Sequence, residues 1–205
     1  MIATTSEISD ERLRLIEAVS KHCDLRERLA LVPPSAKVRG LYFGSIEAVL
    51  GRAGKAQKYK GLFPERFAAV SWHPAGEFLT RLAVGGALLM SPERVHEGMY
   101  EIGRRNAAAF TESLLGRTLL RFLSRDPKKL LQQANAGRRQ STNFARWDIS
   151  FPDQHTAIVE MAEEYQWIES NALGAAVGTF EAVGIPMKAE VELTSRFVGR
   201  HILRW

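Results

Sequence analysis

Between Ala145 and Phe151 the side chains alternate: Ala145, Trp147, Ile149 and Phe151 share one parity, while Arg146, Asp148 and Ser150 share the other. A pleated strand sends these sets to opposite faces, so the stretch predicts a half-buried strand. Pro152 and Asp153 are turn formers, and Ala157, Val159 and Met161 return at odd positions, which predicts a short hairpin. Ser170 or Asn171 is placed to cap a helix running to Val183, with Leu173, Val177 and Phe180 on one face and a thin surface of glycine and alanine. Gly184 and Pro186 end that helix. From Glu190 the alternation resumes: Val191, Leu193, Phe197, Leu203 and Trp205 against Glu192, Thr194, Arg196, Arg200 and Arg204, with Gly199 marking a bulge or a turn. The last third therefore reads as strand, strand, helix, strand.

Upstream the period is helical. Leu13, Ile16, His22 or Cys23, Leu25 and Leu29 make a broken stripe that Pro33-Pro34 stops. The run Val38 to Leu50 joins an extended entry to a short helix. Pro64 can open a helix that turns Phe67 and Val70 inward, and Trp72-His73-Pro74 is a break. Phe78, Leu82, Ala83 and Leu89 predict a buried helix in which Gly85-Gly86 permits close contact or an early end. Ser91-Pro92-Glu93 is the start signal of the clearest long helix, carried by Val95, Met99, Ile102, Ala109 or Phe110 and Leu114. Leu119, Leu120, Phe122 and Leu123 continue an apolar run. Asp126-Pro127 then caps a helix with Leu130 and Leu131 inward, ended by Asn135 and Gly137.

The expected fold class is α+β: a helical N-terminal two-thirds packed on a small antiparallel sheet from a C-terminal β-β-α-β unit. Pro33-Pro34 sets residues 1–37 apart as a helical segment that can pack on a second copy, as a dimerisation arm, as readily as on its own body. Residues 38–205 form the α+β domain.

Composition narrows the function classes. Hydrophobic residues at 45% with 25% charged residues describe a folded globule, and Cys23 alone excludes an internal disulfide or a multi-cysteine zinc site. The longest apolar run, Leu82 to Met90, is far shorter than the roughly 20 residues a bilayer span needs. With no secretory pattern at the N-terminus, a cytoplasmic protein without a transmembrane segment is expected. Net charge is +5, gathered at Lys55, Lys58 and Lys60 and again at Arg121, Arg125, Lys128, Lys129, Arg138 and Arg139. No nucleic-acid motif accompanies these clusters, so they read as solvated basic faces and a nucleic-acid partner is not expected. Gly54-Lys55 fails the phosphate-loop pattern, since Val49 stands at the first glycine and Ala56 follows the lysine.

Four runs carry a resemblance: Val38-Arg-Gly-Leu-Tyr-Phe-Gly-Ser45, Trp72-His-Pro-Ala-Gly-Glu-Phe-Leu79, Leu115-Gly-Arg-Thr-Leu-Leu120 with Asp126-Pro127, and the Gly174 to Gly184 helix. Together they resemble an uncharacterised paralogous family abundant in myxobacteria, over roughly Val38 to Trp205. More distantly, the chain's ending resembles the fold shared by 4-vinyl reductase-type sensor domains, haem nitric-oxide-binding domains and TRAPP vesicle-tethering subunits. That resemblance implies helices layered on an antiparallel sheet, frequent homodimers and, in some members, an internal pocket.

The family context raises three sites. Zinc-binding members use several cysteines near the chain end, which this sequence lacks, so no metal site is expected. Haem-binding members use an axial histidine and a Tyr-x-Ser-x-Arg propionate clamp. His96 lies on a suitable helix, but the clamp is represented only by Thr194-Ser195-Arg196, and no cofactor is expected. An apolar effector could instead be lined by Phe144, Trp147, Trp167 and Phe180, with Asn143 or His155 as polar anchors, although such aromatics also fill ordinary cores.

For catalysis, Ser150, Asp153 and His155 share one hairpin and seldom converge as nucleophile, orienter and base, while Glu160, Glu163 and Glu164 read as a solvated cluster. The leading reading is thus a non-enzymatic regulatory or scaffold domain, a homodimer binding a protein partner or a small apolar effector. Its alternatives are a haem or gas sensor and an enzyme of unknown reaction.

Overall fold

The computed structural model describes residues 5–112 and 126–205, with side chains from Asp10 to Asn106 and from Asp126 onward. The chain divides into two compact units, Met1–Ile102 and Gly103–Trp205. Leu114 and the Leu119–Leu123 run lie outside the described residues.

In the first unit, helices α1 (Thr5–Ser20) and α2 (Leu25–Leu31) are separate, which explains the broken apolar stripe. They are followed by β1 (Lys37–Arg39), α3 (Leu41–Arg52), α4 (Ala56–Leu62), β2 (Trp72–Pro74) and α5 (Ala75–Leu89). A 3-10 turn, Pro92–Arg94, then leads into α6 (Val95–Glu112). The buried residues of α5 lie all round it, including Phe78, Leu79, Leu82 and Ala83, as befits a helix enclosed by others. Gly85 and Gly86 do not end it. A Cβ at Gly85 would stand 2.9 Å from Ile46 Cγ2, and one at Gly98 would stand 2.1 Å from Gly86 O, so these glycines let backbones meet.

Two expectations fail here. Trp72-His73-Pro74 is no simple break, because it pairs antiparallel with β1 in the register Val38↔His73. Nor does Pro64 open a helix: residues 63–71 are irregular. Their carbonyls are claimed elsewhere, since Leu41 N–H donates to Ala69 O (3.0 Å), Gly40 N–H to Ser71 O (2.9 Å) and Ser71 N–H to Ala68 O (3.0 Å). Phe67 turns in to stack on Phe43 and His73, whereas Val70 is 78% exposed.

Beneath this loop Arg81, 1% exposed, donates to Glu77 Oε1 (2.6 Å) and Glu65 Oε2 (2.9 Å). Its guanidinium lies over the rings of Phe43, Phe63 and Phe67. A buried cation is tolerable only when paired and enclosed in this way.

The second unit holds the end of α6, then α7 (Pro127–Ser141), β3 (Arg146–Ser150), β4 (Thr156–Ala162), a π-turn Ile168–Ala172, α8 (Leu173–Ala182), β5 (Lys188–Ser195) and β6 (Val198–Arg204). The α+β class is as expected: helices and small antiparallel sheets, with the strands of the larger sheet at the C-terminal end. That four-stranded sheet has the order β3-β4-β6-β5.

The final alternating stretch is two strands, not one. It folds back on itself with Ser195 paired to Val198, and an irregularity between Leu193 and Ser195 lets the parity run through the turn. Asp126 caps α7 as expected, accepting from Lys128 N–H at 2.9 Å. Asn135 and Gly137 do not end that helix, which continues to Ser141 because Leu130, Leu131 and Arg138 bury one stripe of it. Ser170 and Asn171 are no caps; both are buried inside the π-turn that precedes α8. Gly184 takes the left-handed position, φ +73°, after α8.

Leu130, Leu131, Ala157, Val159, Met161, Ile168, Phe180 and Leu203 make the core over one sheet face. The opposite face is charged, with Arg200 bonded to Glu192 and Arg204 to Glu190.

Candidate functional site

The site begins with α7 and the edge strand β3. Gln132, Asn135, Ala136 and Arg139 recur at spacings that place them on one helix face, and they line a groove with Trp147, Asp148, Ile149 and Phe151. Its volume is about 320 Å³. The apolar parity of β3 supplies the aromatic and aliphatic wall, and α7 supplies amides and a cation.

Asn135 joins the two walls. Its Nδ2 donates to Trp147 O at 3.2 Å, which occupies an outward-pointing carbonyl of the edge strand. Its Oδ1 is buried and accepts no hydrogen bond among the described residues. A buried acceptor without a donor is costly, on the order of 1–3 kcal/mol, and calls for a physical reason.

Behind the groove lies a buried polar cluster. Arg138, adjacent to Arg139, turns inward and donates through Nη2 to Glu164 Oε1 (2.5 Å) and Oε2 (2.6 Å). Trp147 Nε1 donates to Glu164 Oε2 at 3.0 Å, and Gln166 N–H donates to Glu164 Oε1 at 3.1 Å. With its amide oriented to suit these neighbours, Gln166 accepts from Arg138 and donates to Asn171 Oδ1 at 2.6 Å. The guanidinium also lies over Phe144 and Trp147.

Two left-handed residues frame the cluster, Ala145 (φ 66°) before β3 and Glu163 (φ 55°) after β4. Non-glycine residues hold that conformation only when their surroundings fix it, and the paired Glu164 beside Glu163 does so.

These findings correct the charge assignments. Arg138 and Glu164 were expected on solvated faces, yet they are 7% and 0% exposed and form one pair. Sequence periodicity carried a signal, because Arg138 falls on the Leu130–Leu131 face of α7. No sequence signal named its partner.

The six residues expected to line a ligand site are spread through this unit. Trp147 lines the groove, and Phe144 stacks on Tyr165 with ring centroids 5.0 Å apart. Trp167 and Phe180 are fully buried, Phe180 in the core over the sheet and Trp167 at the entry to the π-turn. Asn143 and His155 are exposed and are not part of the groove lining. The structure therefore brings Phe144 and Trp147 together around Arg138, and adds to the groove Ile149 of the β3 alternation together with Gln132, Asn135 and Arg139, which periodicity alone did not single out.

Ser150 and His155 are exposed as well, and Asp153 accepts from the His155 backbone N–H at 2.7 Å. That bond holds the Asp153 carboxyl below its usual range. The geometry is that of a turn. Among the described residues no three of His, Cys, Asp and Glu gather to hold a metal ion.

A family model described as a protein of unknown function, DUF2378, matches residues 31–191. The chain belongs to that family. No curated protein matches it. Among solved structures, the fold is similar to the iron(II) unliganded H-NOX protein from K. algicida, at 11% identity and TM-score 0.63 over 81% of this chain and 95% of that one. It is similar also to an H-NOX protein from S. oneidensis in the Fe(II)NO state, at 10% identity and TM-score 0.62 over 81% of this chain and 98% of that one. An oxygen-binding H-NOX domain related to soluble guanylate cyclases aligns at 15% identity and TM-score 0.60 over 81% of this chain and 94% of that one. At such identities the likeness establishes a shared fold.

A haem would find one candidate ligand among the histidines of this DUF2378 chain and no propionate clamp. Of its five histidines, His22 and His155 are exposed, and His73 shares a hydrogen bond with Ser71 Oγ at 2.7 Å. His201 is buried and holds Ile168 O at 2.8 Å through Nε2, which occupies that nitrogen. Burial depresses its pKa to about 4, so it is neutral. His96 remains, half-buried in the first turn of α6, but no Tyr-x-Ser-x-Arg run exists to clamp propionates. No helix among the described residues is long and apolar enough to cross a membrane.

Proposed function

We propose that this protein is a non-catalytic regulatory domain that recognises a small effector with an apolar body, and that the α7–β3 groove is where it binds. The observation that carries this reading is Asn135, whose Nδ2 is fixed on Trp147 O while Oδ1 is left buried without a donor among the described residues. An effector N–H would satisfy that oxygen once the amide turns toward the groove, since Oδ1 is closed to solvent as it stands. Ile149 and Phe151 offer apolar contact, and Arg139, one turn along α7, offers a cation to an anionic end. N-acylated aromatic or branched-chain amino acids have this combination. Thermal melting against a panel of them tests the reading, since binding to the native state alone raises the melting temperature. A shift that Asn135→Leu abolishes supports it; no shift from any member contradicts it.

Homodimerisation belongs to the same reading. The edge strand β5 carries Leu193, half-exposed beside the turn to Val198, and an edge unpaired among the described residues favours self-association. Light scattering at twice the chain mass of 22.9 kDa supports a dimer, and the single mass removes it.

The H-NOX likeness favours a second reading, a gas sensor with a cofactor on His96. Absorbance of protein produced with haem supplied decides it: a Soret band lost in His96→Ala supports the second reading, and the absence of a band ends it.

A further inference from the structure

The loop between α4 and β2 presents apolar side chains to solvent. Ala68, Ala69 and Val70 are three consecutive exposed residues, with Val70 at 78%, and beside them stand Trp72 at 39% and Leu41 at 49%. A run of exposed apolar residues is unfavourable unless something meets it.

The loop is held, not frayed. Arg39 donates to Val70 O and stacks its guanidinium 4.0 Å over the Trp72 ring. Ser71 Oγ donates to Ala68 O at 2.7 Å, and Phe67 anchors the base against Phe43. The loop crosses so close to Gly40 that a Cβ there would stand 2.1 Å from Ala68 O. Conformational entropy has therefore already been given up to point Val70 outward.

Three cations stand around it. Lys37 and Arg66 are exposed, and Arg39 lies under the loop. Glu65 and Glu77, the carboxylates close by in sequence, both bond to the buried Arg81, and Glu65 keeps 55% of its side chain exposed.

We propose that the 66–72 loop, with Leu41, docks on the anionic surface of a phospholipid bilayer. An aliphatic tip, a tryptophan behind it and a collar of lysine and arginine match the sequence of layers met on entering a leaflet from water: acyl boundary, headgroup interface, surface charge. An extended acidic peptide would want a longer strand edge than β1 or β2, each three residues long, and Pro74 of β2 has no N–H to offer.

Co-sedimentation of the full chain with vesicles tests this, using phosphatidylcholine alone and phosphatidylcholine with about a third phosphatidylserine. Binding is expected on the anionic vesicles only. Val70→Asp should weaken it roughly tenfold, because the apolar tip is lost and a repelled charge is added. Gln133→Asp makes the same charge change on exposed α7 and should leave binding within about twofold, which separates docking from the pull of the overall net charge. Arg66→Glu gives a second variant at the collar, and unchanged melting temperatures confirm folding. Equal effects of Val70→Asp and Gln133→Asp, or equal binding to neutral vesicles, would overturn the proposal. So would polyglutamate binding with the same Val70 dependence, which would instead assign the patch to a polypeptide.

Discussion

Arg138 donates to both carboxylate oxygens of Glu164, 26 residues later in the chain, and the pair is buried between α7 and the end of β4. Because Trp147 and the Gln166 backbone bond to the same carboxylate, this contact fixes the helix, the edge strand and the entry to the π-turn at one point. The groove walls take their spacing from it.

Breaking the pair should therefore be worse than removing it. Glu164→Gln leaves a buried guanidinium without its counter-charge and is expected to destabilise the protein by about 3–5 kcal/mol. Arg138→Met with Glu164→Leu should lose less than the sum of the single changes. Urea denaturation of the three variants measures this, and additive losses would show that the two residues act independently.

His201 makes stability depend on pH. Its native pKa is lowered to about 4, chiefly by burial, against an ordinary value near 6.5 in the unfolded chain. The unfolded state thus binds the proton first. The contribution is fully present above pH 6.5, falls as pH drops, and is exhausted below about 4, a total on the order of 3 kcal/mol. His201→Gln keeps a donor for Ile168 O and should flatten the stability profile across that window.

Two glycines should respond oppositely to alanine. At Gly178 in α8 a Cβ would stand 2.0 Å from Arg104 O of α6, so Gly178→Ala forces backbones apart and should cost several kcal/mol, roughly 2–4. At Gly137 in α7 none of the described residues lies within 4 Å, and alanine should stabilise the helix by about 0.5–1 kcal/mol. Melting temperatures of the two variants, moving in opposite directions, check both.

How much of this was legible in the sequence follows from the range of each interaction. The β3–β4 hairpin, the Asp126 cap and the Gly184 stop depend on neighbours within a few residues, and alternation and turn chemistry display them. The final stretch reads as one strand because a turn with a local irregularity preserves the parity of Val191, Leu193, Leu203 and Trp205 across two. Phe63 to Ser71 was misjudged because its carbonyls are claimed by Arg39, Gly40 and Leu41, about thirty residues away, against the local preference of Pro64. The groove was half legible: the Trp147 parity marked one wall, whereas Asn135 resembled a helix terminator until the buried stripe of α7 carried the helix past it. The Arg138–Glu164 pair had no local signature, since each residue sits among other charges of its own sign.

The most direct test of effector recognition is a two-dimensional amide NMR titration of the full chain with N-acetyl-L-phenylalanine. The account predicts shifts concentrated at the Asn135 side-chain amide, Arg139, the Trp147 indole and the Ile149 backbone, all following one binding isotherm, with the response lost in Asn135→Leu. Unmoved resonances at these four residues up to millimolar ligand, or shifts centred elsewhere, would contradict it.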